Sequence, residues 1–322
     1  MKKVRYPLEP RRVRPGLAAL ILALVLLPGC STAPKPVAEV VARKNQAAEY
    51  SKLGDGFLAK RDYAAALRFY EESLRENRAV DNTEGAVVSM NSIGRVYLAA
   101  GRLDDAEATF REALDYAGFL KNPSFRALSL ANLGEALYAR GDAAGALEAF
   151  QEALPLASRD ERTLAVLLHD RAVAYRDRGE WESAEADLRR AAGINQRLKR
   201  LSEYGANLYV LANIAHKKGN SQTALDLLKQ ALDADRKAEN SAGIAADLEA
   251  LAVLYRGKDL KEEAFQHYRR AFDVFVSMDS AAEALRCAEA LAALAVDLER
   301  PEDVRRYRDY AQRIRSSVDA QP

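Results

Sequence analysis

Histidine and cysteine are scarce in this chain of 322 residues, which has three histidines and two cysteines. His169, His216 and His267 lie far apart, without a His-x-x-x-His pair or a nearby cysteine. Metal-ligand clusters need convergent spacing, so we expect no metal site and no cofactor. A glycine-rich phosphate loop and a serine elbow of the Gly-x-Ser-x-Gly type are also missing. With no catalytic constellation in the sequence, we expect that the chain is not an enzyme.

A large excess of either charge is missing as well. The formal net charge is +1, and residues 1–29 carry six basic and one acidic side chain, which leaves −4 for the remainder. A nucleic-acid-binding surface needs a clustered basic face. The evenly mixed, mildly acidic remainder therefore argues against nucleic acid as a partner.

Only one long apolar run is present, eleven residues from Leu17 to Leu27, and it follows six basic side chains. Eleven residues at ~1.5 Å rise cover about half of a bilayer core of ~30 Å, so residues 1–29 are expected to be a signal peptide. The run ends in Leu27-Pro28-Gly29-Cys30, which resembles the bacterial lipobox, although Pro28 departs from its usual small residue. The resemblance implies cleavage before Cys30 and its acylation, palmitate included, followed by a short tether over residues 30–36. An ordinary signal peptide or a short uncleaved anchor with an incidental cysteine is the alternative.

Ser31 follows the cysteine where, in the enteric pattern, an aspartate would retain a lipoprotein in the inner membrane. We therefore expect lipid anchoring in the outer membrane, facing the periplasm, with the inner membrane as the alternative. If Cys30 carries lipid, Cys287 has no partner in the chain and no internal disulfide forms. Cys287 lies in an alanine-rich stretch, which predicts a small buried side chain rather than a nucleophile.

A pattern of small and large side chains recurs about every 40 residues between residues 47 and 275. Each copy has a small residue, a second small residue twelve positions later and a large one four after that. The first small residues are Gly54, Gly94, Gly134, Ala172, Ala212 and Ala252, and the large residues are Tyr70, Phe110, Phe150, Leu188, Leu228 and Tyr268. Small side chains let two helices approach at the short end of ~8 to 10 Å, and we expect the large residue to fill the gap toward the neighbouring hairpin. Such hairpins are stable only when stacked.

Turn residues separate the two helices of each copy. Glycine favours a left-handed cap at the end of the first helix, and the candidates are Gly101, Gly141, Gly179 and Gly219. Short polar side chains can cap the second helix, and the candidates are Asp62, Asp142, Asn220 and Asp259.

The pairs Leu53-Gly54 with Phe57 and Ile93-Gly94 with Tyr97, and the step Leu133-Gly134, resemble the tetratricopeptide repeat (TPR). Later copies carry alanine in place of glycine, and the period is about 40 rather than ~34. The resemblance implies an all-α, right-handed superhelical α-solenoid of about six TPR-like helical hairpins plus a C-terminal capping helix pair, over residues 37–322. The expected repeats lie near residues 47–80, 87–120, 127–158, 165–198, 205–238 and 245–278, and the capping pair spans residues 281–318.

In stacked hairpins of this kind the first helices line a concave groove, where residues not used in packing can meet a peptide or helix. The candidates by helical phase are Asn91, Arg95, Asn132, Glu135, Tyr138, His169, Tyr209, Asn213, His216 and Lys217. This mixture of amides, charges and tyrosines suits a protein segment better than a small apolar ligand. The carboxylate clamp of some TPR domains is not recognisable, because Ser51 and Asp55 stand where it would begin.

Three hypotheses follow for function. The leading one is a membrane-anchored periplasmic scaffold that binds envelope proteins or peptide segments, in secretion or pilus assembly, outer-membrane protein assembly or cell-wall machinery. The second is an envelope protein that binds peptidoglycan or a peptide ligand. The third, an enzyme, would require His169, Glu135 and Tyr138 to converge within hydrogen-bonding reach.

Overall fold

A computed structural model describes residues 35–319, with side chains described to residue 316; the expected signal peptide, Cys30 and most of the tether lie outside this range. The described residues form fourteen α-helices and no strand. The helices are α1 (Val37–Ala59), α2 (Tyr63–Ala79), α3 (Thr83–Ala99), α4 (Leu103–Ala117), α5 (Pro123–Ala139), α6 (Ala143–Leu156), α7 (Glu161–Asp177), α8 (Trp181–Arg197), α9 (Leu201–Lys217), α10 (Ser221–Lys237), α11 (Ser241–Gly257), α12 (Lys261–Ser277), α13 (Ala281–Asp297) and α14 (Pro301–Asp319). Residues 43–319 lie in one compact unit, and residues 37–42 belong to a separate unit, in which they are helical.

Consecutive helices pair into hairpins, in which α3 packs on α4, α5 on α6 and so on to α13 on α14. Each second helix from α2 to α12 also packs on the first helix of the next hairpin, which stacks the hairpins. In the first hairpin, Tyr70 on α2 donates a hydrogen bond to Asp55 on α1. The expected all-α solenoid of six hairpins and a C-terminal pair is confirmed. The first helices α3, α5, α7, α9 and α11 each begin four residues before the repeat starts inferred from the sequence, at Thr83 and Ser241 for example, because their first turns contribute nothing to the size pattern.

The size pattern describes direct contacts between the two helices of a hairpin. A Cβ atom added to Gly94 would lie 2.4 Å from Cε1 of Phe110, and one added to Gly134 would lie 2.5 Å from Cε1 of Phe150. The aromatic ring thus occupies the space that glycine leaves in its own hairpin, whereas the sequence led us to expect it to face the neighbouring one. The correction has a steric cause, since the ring fills the space that a Cβ atom on the glycine would need.

Glycine closes four of the turns within hairpins, as expected. Gly101, Gly141, Gly179 and Gly219 have φ values of 72°, 91°, 77° and 81°. Arg61, Asp259 and Glu299 adopt the same left-handed conformation in other hairpins, at φ of 59°, 60° and 54°. The turn geometry therefore recurs without glycine where the stacked helices impose it.

Side-chain capping of the second helices is confirmed at two of four expected positions. Asp62 accepts a hydrogen bond from the backbone N–H of Ala65, and Asp142 accepts one from Gly145. Asn220 precedes α10 without a side-chain cap bond. The expectation for Asp259 was wrong, since it lies in the left-handed turn and Leu260 precedes α12 instead.

The last helix covers the end of the stack. Tyr307 on α14 is buried, and its ring meets the rings of Phe265 and Phe272 edge-on, with centroids 5.9 Å apart in both pairs. Cys287 on α13 is fully buried, as expected, and burial raises the pKa of its thiol to about 12. Within residues 35–319, no helix combines the length and the apolar character needed to cross a membrane.

Candidate binding face on the first helices

The candidate residues lie on first helices that also contact one another. α3 packs on α5, α5 on α7, α7 on α9 and α9 on α11, so side chains from successive repeats come together. We call the surface formed by the first helices α3 to α13 the first-helix face. In the structure these candidate residues fall into three groups. Some are buried and form hydrogen bonds between first helices, some belong to a charged region, and some line a cavity.

Asn91 and Asn132 are links between α3 and α5. Both side chains are buried, with 2% and 7% of their areas exposed. The Asn91 amide donates to Oγ of Ser129 at 2.9 Å and accepts from Nδ2 of Asn132 at 2.7 Å. Because these amides satisfy each other, they hold the repeats together and have little surface left for a partner.

His169 forms the corresponding link between α7 and α9, where its Nδ1 lies 3.3 Å from Nδ2 of Asn207. Burial lowers the pKa of His169, so its imidazole is neutral at pH 7. Within the described residues, no hydrogen bond joins His169 to Glu135 or Tyr138. The convergence that would favour an enzyme is therefore not formed.

Tyr138 belongs to a charged network near the ends of α5 and α7. Its hydroxyl donates to the carboxylate of Asp177, which also accepts from Nε of Arg176 at 2.7 Å. The hydrogen bond from Arg176 is the main cause of a lowered Asp177 pKa, and the charge of Lys217 adds to it. Lys217 itself remains exposed on α9.

Arg95, Glu135 and Asp170 come from three successive first helices. Desolvation by the surrounding protein raises the pKa of Glu135, although its side chain keeps contact with solvent, and the charge of Arg95 opposes this shift. Desolvation, and then the charge of Glu135, raise the pKa of Asp170 to about 7. Arg95 is exposed. The charge of Glu135 on α5 therefore acts on Asp170 of the adjoining helix α7.

Tyr209, Asn213 and His216 line one cavity of about 270 Å³, between α9, α11 and α13. Its apolar lining consists of alanine, leucine and valine side chains, from Ala212, Leu228, Ala246, Ala250, Val253 and Leu254. Glu249 and Arg286 also line it, and Nη2 of Arg286 lies 3.3 Å from Oε2 of Glu249. An apolar recess with a few polar groups is the usual composition of a ligand pocket.

Sequence reasoning missed Asp170, Glu249, Val253 and Arg286. The repeat itself contained a signal for three of them. Asp170 stands two positions before Ala172, as Asn132 stands before Gly134. Glu249 corresponds in the same way to Tyr209, and Val253 to Asn213. Arg286 could not be found this way, because its hairpin was treated only as a cap.

Comparisons with known families agree with the repeat architecture. Tetratricopeptide repeat models match residues 46–117 and 91–161, and the model of "Soluble NSF attachment protein, SNAP" matches residues 155–320, just over half of the chain. No enzyme family is among these matches. A search of curated proteins gives no match.

Solved structures share the fold at low identity. Aspartyl phosphate phosphatase F from Bacillus subtilis matches with a TM-score of 0.64 and 15% identity, over 95% of this chain and 76% of that one. BtubC from P. vanneervenii matches with a TM-score of 0.57 and 18% identity, over 74% and 92%. A signal transduction ATPase with a tetratricopeptide repeat sensor, from Pyrococcus horikoshii, matches with a TM-score of 0.69 and 15% identity, over 88% of this chain and 44% of that one. At such identities the similarity concerns the fold alone.

Proposed function

The chain belongs to the soluble NSF attachment protein (SNAP) family through residues 155–320 and carries tetratricopeptide repeats over residues 46–161, and from this we propose that it is a protein-binding scaffold. The first-helix face would hold a segment of a partner protein, with an apolar side chain inserted beside Val253. The cavity of about 270 Å³ is the observation that carries this proposal. This volume is just below the ~300 to 1,000 Å³ of small-molecule pockets, so the cavity suits one side chain better than a whole cofactor.

Filling the cavity tests this proposal. Val253 is 38% exposed, so Val253→Trp should place an indole in the recess without disturbing the buried core. A photo-crosslinking amino acid at Asn213 should capture a specific partner in cells, and Val253→Trp should abolish that product. Val276→Trp is the matched control, since Val276 is 48% exposed on the second helix α12 and lies outside this cavity. Capture that survives Val253→Trp unchanged would contradict the proposal.

We further propose that the scaffold is a lipoprotein anchored through Cys30 to the outer membrane and facing the periplasm. The supporting observations are the basic and apolar residues 1–29 and the Leu27-Pro28-Gly29-Cys30 sequence. Its partners would then be envelope proteins of secretion or pilus assembly, outer-membrane protein assembly or cell-wall machinery. Labelled palmitate should be incorporated into the wild-type chain and not into Cys30→Ser, with Cys287→Ser as the control. Equal labelling of Cys30→Ser would exclude lipidation at this position.

Peptidoglycan is a second candidate ligand, because the polar side chains Asn213, His216 and Glu249 around the cavity can also bond to a glycan or its peptide. Sedimentation with purified peptidoglycan separates the two proposals. A scaffold that binds only proteins should stay in the supernatant, and a cell-wall-binding protein should pellet.

A further inference from the structure

The last helix, α14, breaks the size pattern of the repeat at one position. Arg308 stands forty residues after Tyr268, where the six earlier hairpins carry a large apolar or aromatic side chain. Those six side chains are at most 4% exposed, whereas Arg308 is exposed, since an arginine keeps its charged head in water. The small residue of the same pair, Ala292, is 8% exposed, against 1% and 0% for the corresponding Ala212 and Ala252. The last pair of helices is therefore open at the place where the others are filled.

A recess of about 470 Å³ lies at this place, between α13 and α14, and Ala292, Ala293 and Ala311 form its apolar lining. It has the same position in the repeat as the cavity beside Val253. Ala293 stands forty residues after Val253, and Ala292 stands eighty residues after Ala212, which lines that cavity. The recess thus continues the first-helix face toward α14, and a segment bound at the cavity can extend into it.

The charges in the recess are unequal. Glu289 on α13 forms an ion pair with Arg315 on α14, so these two charges offset each other. Arg308 also lines the recess, and within the described residues its guanidinium takes part in no ion pair and no hydrogen bond. Gln312, one turn after Arg308 on the same helix, adds an amide to the lining. The recess therefore has one unmatched positive charge and an amide donor beside its alanines.

From this geometry we propose that the recess between α13 and α14 binds an acidic side chain, glutamate or aspartate, of the partner segment, with its carboxylate on Arg308. This deepens the proposed function and rests on it. The guanidinium presents paired N–H donors that match a carboxylate, and the amide of Gln312 can donate a further hydrogen bond. The aliphatic part of the acidic side chain would lie on the three alanines. A basic side chain would meet Arg308 as a like charge, so the recess contributes specificity as well as affinity.

Synthetic peptides provide the probe. A 12-residue peptide with a free carboxyl terminus is selected from a display library on the purified full-length chain, and each of its acidic residues is then replaced by the matching amide. We expect one such replacement to weaken binding by roughly tenfold or more. On Arg308→Gln the same replacement should have less than a twofold effect, because the cation that recognises the carboxylate is gone. Amidation of the peptide terminus should leave the affinity unchanged, and a loss on amidation alone would overturn the assignment to a side chain.

The control removes a neighbouring charge from the same helix. Arg313 on α14 is exposed and lies outside the recess, and Arg313→Gln changes the net charge by the same amount. This variant should bind the selected peptide as the native chain does, and it should still discriminate the acidic residue from its amide. A comparable loss of affinity in Arg308→Gln and Arg313→Gln would mean that only the overall charge matters and would overturn the inference.

Folding does not confound the test, because a second substitution at the same position should strengthen the fold. Arg308→Leu restores the residue type that Leu188 and Leu228 supply in their own hairpins. It should raise the melting temperature of the free chain by filling the recess, while it abolishes recognition of the acidic residue. A lowered melting temperature would show that Arg308 serves the packing of the last pair instead.

Failure of the inference is distinguishable from failure of the proposed function. Selected peptides that no longer bind Val253→Trp but bind Arg308→Gln as they bind the native chain would uphold the scaffold and overturn the acidic subsite. A library that yields no binder counts against both.

Discussion

Single side-chain volumes set the spacing of the two helices in a hairpin. Glycine faces an aromatic ring in the pairs Gly94 with Phe110 and Gly134 with Phe150. The corresponding positions of the fourth hairpin hold Ala172 and Leu188, both fully buried. The added methyl group and the smaller partner thus compensate each other, which is how a closely packed interior accommodates substitution.

This compensation predicts the result of a double-mutant cycle at Gly94 and Phe110. Gly94→Ala should destabilise by about 1 to 3 kcal/mol, since its Cβ would overlap the ring. Phe110→Leu should destabilise by about 1 to 3 kcal/mol through the cavity it leaves. The loss in free energy of unfolding of the double variant, measured by urea unfolding, should be clearly smaller than the sum of the two single losses. Additive effects would show that the two positions do not pack as a pair.

A second residue-scale prediction concerns Asp247, which is buried beside Asp235. Desolvation first, and then the charge of Asp235 and a hydrogen bond to it, raise the pKa of Asp247 from 3.8 to about 8. Between these values the folded chain holds a proton that the unfolded chain releases, so the free energy of unfolding should fall as pH rises from about 4 to 8. Asp247→Asn should stabilise the protein at pH 8 and flatten this dependence. Asp226→Asn, at an exposed position, is the control, and an unchanged pH profile for Asp247→Asn would contradict the assignment.

At the scale of helices, the sequence predicted how the hairpins stack but not which side chains form hydrogen bonds between them. Helix periodicity and the size pattern predicted the hairpins, because the volume of a side chain at a helix contact follows from its residue type alone. They could not tell that Asn91 is buried whereas Arg95, four residues later on α3, is exposed. That distinction depends on Ser129 and Asn132, which lie about forty residues away and pair with Asn91 only after the repeats stack.

The link between α3 and α5 yields the element-scale prediction. Asn91→Ala leaves the buried polar groups of Ser129 and Asn132 without their partner, so it should destabilise by about 1 to 3 kcal/mol. Arg95→Ala on the same helix should change the free energy of unfolding by less than about 0.5 kcal/mol, since Arg95 is exposed. Chemical denaturation of both variants measures the difference. Equal stabilities would mean that the Asn91 amide is used at the surface and not between the helices.

At the scale of the whole molecule, the repeat explains both what could be predicted of the candidate site and what could not. Periodicity placed Tyr209, Asn213 and His216 on one face, and the structure brings these three into one cavity. The lining of the cavity also includes Arg286 from the first helix of the next hairpin and Leu228 from the second helix α10. Packing between three hairpins creates the recess, so no single repeat encodes it.

Stacking also predicts how the chain responds to loss of its last pair of helices. In the described residues each hairpin contacts its neighbours in sequence, which makes stability a sum of local contributions. Ending the chain after Asp279 removes α13 and α14 and uncovers Phe265 and Phe272, which pack on Tyr307. Hydrogen exchange should then accelerate in α11 and α12 and stay unchanged in α3 to α6, with helical circular dichroism preserved in proportion to length. Tyr310→Ala, at a position that is 42% exposed on α14, is the control for a mild change at the same end. Accelerated exchange throughout the truncated chain would show that it folds as one cooperative unit, because a stack of independent neighbours cannot transmit the loss from α13 to α3.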